Sequence, residues 1–179
     1  MGFRVIHHEG DKDLLFEVVK ATADQIKNTI CNECGKRNEC DKCDKCIDNF
    51  QADDLVVNGN FSRSKHAPDA LSIVINTRFR PVSDDWYITG YLRLADKTSG
   101  KIAITLRMFV EGRDFSTGDF GFGTEKTCGY LNPDEVREFL SLLKAYNPDN
   151  DDDKALFDYL IDVYSRLVEK NSGDLFIMI

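Results

Sequence analysis

The chain has 179 residues, with 23 Lys and Arg against 31 Asp and Glu, which gives a formal charge of −8. This length suits one domain, and it is enough to build a core without the help of a metal. An acidic chain is a poor non-specific ligand for nucleic acid, because Lys and Arg bind the phosphate backbone. The sequence has no run of about 20 apolar residues, so it predicts no membrane span.

The first residues, MGFRVIHHEGDKD, lack the apolar stretch of a secretory signal. We therefore expect a cytoplasmic protein. Thiols stay reduced in the cytosol, so closely spaced cysteines favour metal binding over disulfides there.

The first elements are a strand and a helix. Phe3 to His8 alternates weakly between apolar and polar residues, which predicts a short strand. Asp11 or Asp13 then suits the start of a helix that runs to about Ile30. Its apolar residues recur at near-helical spacing, and this helix ends just before the first of a group of cysteines.

The segment from Cys31 to Cys46 reads CNECGKRNECDKCDKC, with the spacing C-x2-C-x5-C-x2-C-x2-C. Two neighbouring C-x-x-C pairs can supply four thiolates to one tetrahedral ion, and this spacing favours zinc. The candidate ligands are Cys31, Cys34, Cys40, Cys43 and Cys46. Because they exceed four positions, two sets stay open: Cys31 and Cys34 with Cys43 and Cys46, which we slightly prefer, or with Cys40 and Cys43.

An iron–sulfur cluster is the alternative cofactor. The spacing of Cys40, Cys43 and Cys46 resembles part of the bacterial ferredoxin pattern. That pattern continues to a fourth cysteine and a proline, whereas IDNFQ follows Cys46 here. Cys128 stands apart from the group, and we expect it to be a small core residue.

Three segments in the middle of the chain alternate with period two, which predicts an antiparallel meander with one buried face. An Asn58-Gly59 pair before them predicts a tight turn. The residues of the predicted buried face are Leu71, Ile73, Ile75, Thr77 and Phe79, then Trp86, Ile88, Gly90, Leu92 and Leu94, and finally Ile102, Ile104, Leu106, Met108 and Val110.

The opposite face of this predicted sheet would present arginines between tyrosines, a pattern that can stack single-stranded bases. The candidate binding residues are Arg78, Arg80, Tyr87, Tyr91, Arg93 and Arg107. The simpler interpretation is an ordinary half-exposed sheet face, or one that the acidic C-terminal helices cover. The net charge favours the simpler interpretation over nucleic-acid binding.

The last third predicts a strand, two helices and a final strand. Glu125 to Leu131 is expected to be extended, and Asn132-Pro133 is a strong helix start. A second helix is predicted from about Asp153 to Asn171. The apolar LFIMI at residues 175–179 predicts a strand that pairs in the sheet or in an interface.

The sequence offers no recognisable catalytic motif. His7, His8 and His66 lie beside no nucleophile motif, so we expect surface or core histidines, with a distant contribution of His7 or His8 to the metal site as a weaker alternative. A four-cysteine site has no open coordination position, which favours a structural role. We therefore expect a non-catalytic protein.

Together these patterns predict a single α+β domain over residues 1–179. Its antiparallel sheet of four to six strands would pack against helices, with residues 31–46 inserted after the first helix as a cysteine-rich metal-binding lobe. The leading functional hypothesis is a small acidic regulator or inhibitor of a protein partner, such as a nucleic-acid-binding enzyme; a viral or mobile-element origin would fit it. The alternatives are a nucleic-acid-binding module and an iron–sulfur redox or sensor protein.

Overall fold

The computed structural model describes residues 2–28, 55–61, 67–119 and 128–179. Within these ranges the chain is α+β, with six helices and an open antiparallel sheet of about five strands. The helices are α1 (Lys12–Asn28), α2 (Ala67–Arg78), α3 (Ile88–Lys97), α4 (Gly100–Glu111), α5 (Pro133–Ala145) and α6 (Asp151–Glu169). The strands are β1 (Arg4–Glu9), β2 (Val56–Val57), β3 (Asn60–Phe61), β4 (Arg80–Pro81), β5 (Trp86–Tyr87), β6 (Cys128–Leu131) and β7 (Asp174–Met178).

The last strand lies inside the sheet. β7 pairs with β1 on one side and with β6 on the other, while β4 and β5 both pair with the far side of β1. All these pairings are antiparallel. The prediction that the apolar C-terminal residues form a strand of the sheet is confirmed, as are the predicted strands at β1 and β6.

The sheet separates two apolar cores, because successive side chains of a strand point to opposite faces. Val5 and Phe176 face a core that α3, α4, α5 and α6 cover. Leu175 and Ile177 face a second core, which α1, α2 and the β2–β3 hairpin cover. The described chain is therefore a layer of helices on each side of one sheet.

Capping residues set the starts of the last two helices. The backbone N–H of Asn132 donates to Glu135 Oε2 at 2.8 Å, and Pro133 occupies the first position of α5. The side chain of Asn150 accepts from the backbone N–H of Asp153 at 2.9 Å, so α6 begins two residues before the predicted start. Both predicted helices are confirmed.

The predicted turn at Asn58-Gly59 is also confirmed. It connects β2 to β3, and both residues have positive φ, 51° and 78°. Two consecutive positive φ values match the two-residue turns that suit the twist of a hairpin.

The predicted three-stranded meander is wrong, because residues 67–111 form α2, α3 and α4 apart from the short β4 and β5. Burial in α2 follows Leu71, Val74 and Ile75, the spacing of one helix face. Ile73 and Ile104, which the period of two would bury, are each 44% exposed. The apolar residues of these segments fit both the period of two of a strand and the period of 3.6 of a helix, and the structure forms helices.

Two further predictions concern the cysteine-rich lobe and the absence of a membrane span. The cysteine-rich lobe at residues 31–46 lies outside the described residues. Among the helices that the structure describes, none has the length and apolar character needed to cross a bilayer.

Candidate functional site

A cluster of polar side chains lies inside the core that α3 to α6 cover. His7 of β1 is its centre: Nδ1 lies 2.7 Å from Asp174 Oδ2, and Nε2 lies 3.0 Å from the Tyr91 hydroxyl. The hydroxyl of Tyr164 donates to the same Oδ2 at 2.6 Å. The cluster therefore joins two sheet strands to α3 and α6.

None of these side chains has access to solvent. His7, Asp174, Tyr91 and Tyr164 are all 0% exposed. Burial of a carboxylate is costly unless hydrogen bonds compensate it, and Oδ2 of Asp174 has two such partners. Oδ1 of Asp174 has no hydrogen-bond partner among the described residues, so both hydrogen bonds that offset the burial of this carboxylate reach Oδ2.

The tyrosines of this cluster remain protonated at neutral pH. Burial raises the pKa of Tyr164 well above 10, and the nearby charge of Asp174 adds to the effect. Burial likewise raises the pKa of Tyr91, with Tyr159 as the next cause. Both hydroxyls therefore keep the proton that a hydrogen bond needs.

Tyr159 lies between this cluster and the surface. Burial raises its pKa to about 12. Its hydroxyl donates to the carbonyl of Asp84 at 2.7 Å and accepts from Ser83 Oγ at 3.1 Å. Tyr159 thus ties α6 to the turn between β4 and β5, and its ring lies 6.4 Å from that of His7.

An aspartate that orients a histidine is an arrangement that enzymes use for general-base catalysis. Here the far nitrogen of His7 contacts a tyrosine of raised pKa in a filled core, where no substrate could approach. The T-shaped contact of His7 with Phe109, at 4.9 Å between centroids, helps to fill this space. The arrangement is suited to holding β1, β7, α3 and α6 together.

His8 points into the opposite core. Its Nδ1 lies 3.2 Å from the carbonyl of Leu175, so this nitrogen carries the hydrogen, and Nε2 is an acceptor with no partner in the described part of the chain. Burial lowers the pKa of His8. The sequence predicted that His7 and His8 are surface or core histidines, and in the structure both are core residues.

The six candidate binding residues do not form one surface. Tyr91 is in the core. Arg93 forms an ion pair with Asp153 at 2.9 Å, and Arg107 forms one with Asp96 at 2.6 Å. Three others are exposed on three elements: Arg78 ends α2, Arg80 lies in β4 and Tyr87 in β5. The sheet face that was expected to carry them is replaced by helices.

Arg93 and Tyr87 each make a contact that joins two elements of the fold. Asp153 is almost fully buried and accepts from both Arg93 and Lys97, which fastens α3 to the start of α6. The hydrogen bond from Lys97 is the main cause that lowers the pKa of Asp153. The Arg4 guanidinium lies 4.4 Å from the centroid of the Tyr87 ring.

The five clustered cysteines lie outside the described residues, so their role as ligands stays a prediction. The described part of α1 extends to Asn28, three residues before Cys31 in the sequence. Within the described ranges, no group of three or more His, Cys, Asp or Glu side chains is arranged to hold a metal. Cys128 is buried in β6, which confirms it as a core residue.

Sequence reasoning did not find the partnership of His7 and Asp174. The two residues are 167 positions apart, and no local spacing links them. A usable signal was present in each strand: Asp174 directly precedes the apolar LFIMI, and His7 follows the apolar pair Val5-Ile6 in the first predicted strand. A polar residue in a buried strand needs a buried partner.

No protein-family model matches the chain, and no match was found among curated proteins or solved structures. The chain's own residues must therefore carry any functional assignment.

Proposed function

We propose that this protein is a non-catalytic zinc-binding protein that acts by contact with another macromolecule, most directly a protein partner. The observation that carries the proposal is the spacing C-x2-C-x5-C-x2-C-x2-C from Cys31 to Cys46. Four thiolates at two close turns match the ligand set of closed, structural zinc sites. Such sites stabilise short segments that have little core of their own.

The burial of the His7–Asp174 pair supports a role without catalysis. It is the most enzyme-like arrangement in the described part of the chain, and both side chains are 0% exposed. A general base must reach a proton of the substrate within about 3 Å or through one water. This pair offers no such approach.

The acidic side of the molecule supports a basic partner surface. Residues 133–179 carry 11 acidic against 5 basic residues. Several of these acids are exposed and form no ion pair with the described residues: Asp149, Asp151, Asp152, Asp158 and Glu169. Complementary charge speeds encounter with a basic surface, such as the groove of a nucleic-acid-binding enzyme.

Metal content of the purified chain tests the zinc proposal. Elemental analysis with native mass spectrometry should give one zinc per chain in colourless protein. A double variant Cys31→Ser and Cys34→Ser should lose the metal, whereas Cys128→Ala, which removes a buried thiol of the sheet, should keep it. Iron with visible absorbance would favour the iron–sulfur alternative, and metal-free folded protein would refute the proposal.

Binding assays test the mode of action. Complexes captured with the wild-type chain should weaken with added salt and with the triple variant Asp151→Asn, Asp152→Asn and Asp158→Asn. The matched control is Asp162→Asn, an acid on the same helix that already pairs with Arg166. Salt-sensitive binding of single-stranded oligonucleotides by the wild type would instead favour the nucleic-acid alternative.

A further inference from the structure

The two cores differ in the partner that each gives to its buried histidine. His7 lies in the core under α3 to α6, where its Nδ1 is 2.7 Å from Oδ2 of Asp174. His8 lies on the opposite face of the sheet, because its register partner Leu175 faces the core under α1 and α2. Both rings are 0% exposed. Among the described residues only His7 has a carboxylate within hydrogen-bonding distance, so a proton on His8 would lack this compensation.

Both ring nitrogens of His8 suit the neutral imidazole. Nδ1 donates to the carbonyl of Leu175 at 3.2 Å, and Nε2 has no hydrogen-bond partner in the described part of the chain. A protonated ring would carry a second N–H on Nε2, and this donor would have no acceptor in an apolar core. The packed arrangement around His8 therefore disfavours the imidazolium form.

The strands and helices packed around His8 offer it no charged partner in the ranges that the structure describes. β4 places Pro81 opposite His8, and β7 places Leu175 there. The residues that α1 and α2 contribute to this core are Leu15, Val19, Ala70, Leu71, Val74 and Ile75. All six are apolar, so they bring no carboxylate to the ring.

The remaining titratable or charged groups lie on β6, at the edge of this core or across the sheet. They are Cys128 and Tyr130, then Lys12 and Arg113 beside the Tyr130 ring, and finally His7 and Asp174 on the opposite face. Asp174 attracts a proton to His8 from across the sheet, but the effect of burial is larger, so the pKa of His8 is lowered.

The layer that covers His8 comes from one stretch of the sequence. α1, the β2–β3 hairpin and α2 all lie between residues 12 and 78, with β1 before them and β4 after them; we call these three elements the α1–α2 layer. The helices over the other core, α3 to α6, lie between residues 88 and 169. Units that open cooperatively often coincide with such contiguous motifs. The α1–α2 layer is therefore placed to leave the sheet while the other helices stay packed.

We propose that the α1–α2 layer is an acid-sensitive cover, which undocks from the sheet when His8 takes up a proton, while the core under α3 to α6 stays intact. Undocking exposes the His8 ring to water, where both nitrogens can carry hydrogens. Below the ordinary pKa of 6.5 the open form binds a proton that the docked form does not, so acid raises the population of the open form. Opening uncovers the apolar face that contains Leu175 and Ile177.

Native-state hydrogen exchange of the full chain at pH 7.5 and pH 5.5 tests the proposal. At both values the amides of α2 should have lower protection factors than those of α6, because the α1–α2 layer opens without the other helices. The protection factors in α2 should fall by up to about tenfold between pH 7.5 and pH 5.5, as expected for one proton bound only by the open form. Fluorescence of Trp86, the single tryptophan, should stay constant, because this residue packs against the other core.

The variant His8→Gln assigns the effect to His8. Glutamine does not titrate, so the protection factors of α2 should be the same at both pH values. His8→Leu, an apolar replacement, should give the same result and serves if the glutamine variant does not fold.

Two results with the wild-type chain would refute the proposal without any variant. Equal protection in α2 and α6 would show that the molecule opens only as a whole. Protection in α2 that does not change between pH 7.5 and pH 5.5 would show that the docked core accommodates the proton. A fall in protection that persists in a folded His8 variant would assign the effect to another group and refute the role of His8.

Discussion

His7 Nδ1 lies 2.7 Å from Asp174 Oδ2, and this contact joins two neighbouring strands through side chains that no solvent reaches. Glu9 and Asp174 are register partners in the β1–β7 ladder, and His7 lies opposite Phe176. The carboxylate therefore reaches along the same face of the sheet to a histidine two residues away on the paired strand. Such a buried polar link fixes which residues of the two strands face each other, since a shift by one residue would separate the pair.

Removal of the carboxylate should be strongly destabilising. Asp174→Ala leaves the His7 ring and the Tyr164 hydroxyl without their shared acceptor, and we expect a loss of about 3–5 kcal/mol in the free energy of unfolding. Denaturant unfolding at neutral pH measures it. Asp158→Ala, at an exposed position of α6, should change stability by less than about 0.5 kcal/mol. Equal effects of the two substitutions would show that the buried pair is unimportant.

Removal of one hydroxyl isolates the contribution of a single hydrogen bond. Tyr164→Phe keeps the ring and its packing but removes the donor to Asp174, and we expect a loss of about 1.5–3 kcal/mol because the acceptor is charged. Tyr146→Phe is the matched control, since its ring stacks on Phe157 and its hydroxyl has no hydrogen bond to the described residues. Denaturant unfolding measures the loss of stability in both variants. A loss in Tyr164→Phe as small as that in Tyr146→Phe would argue against the hydrogen bond to Asp174.

The lowered pKa of His8 predicts a specific dependence of stability on pH. Above the unfolded value of 6.5 the imidazole is neutral in both states, so His8 has no effect. As pH falls below 6.5, the unfolded chain binds a proton that the folded chain does not, and stability is lost until the folded pKa is reached. The slope from this one group is at most about 1.4 kcal/mol per pH unit.

His8→Gln should flatten this dependence. Glutamine does not titrate and keeps a donor for the carbonyl of Leu175, while His7 is unchanged in both proteins. The difference between the two unfolding curves, measured from pH 7.5 to pH 5, therefore reports His8 alone. Parallel curves would mean that the folded protein accommodates a protonated His8.

Metal removal should weaken the protein without unfolding it, if the zinc proposal holds. A chain of 179 residues can build a core without a metal, so a strong chelator should leave the circular-dichroism signal of the sheet and helices largely intact. The thermal transition should remain cooperative at a lower midpoint, because the ligand no longer stabilises the folded state. Complete loss of cooperative unfolding after chelation would show that the core depends on the metal.

Capping and turn residues made parts of the fold predictable. Asn132-Pro133 marked the start of α5, and Asn58-Gly59 marked the turn between β2 and β3, since both pairs have strong local conformational preferences. The final strand was predictable for another reason: a fully apolar run such as LFIMI has to be buried on both faces. These signals depend on a few adjacent residues and do not require knowledge of the tertiary structure.

The helices α2 to α4 were not predictable from periodicity. Ile73 and Ile104 sit two residues from buried neighbours, so β-branched residues reproduced an alternation that the burial does not follow. Residues at i, i+3 and i+4, such as Leu71, Val74 and Ile75, fitted a helix equally well. Short windows that satisfy both periods are decided by tertiary packing.

The placement of β7 between β1 and β6 sets the course of folding. The contact of His7 with Asp174 closes a loop of 167 residues, and such distant pairing slows folding because chain entropy is lost before the contact forms. Until residues 174–178 emerge from the ribosome, β1 and β6 have no strand to join them. The nascent chain would then expose two apolar strand edges at once, which makes it a candidate client for chaperones during synthesis.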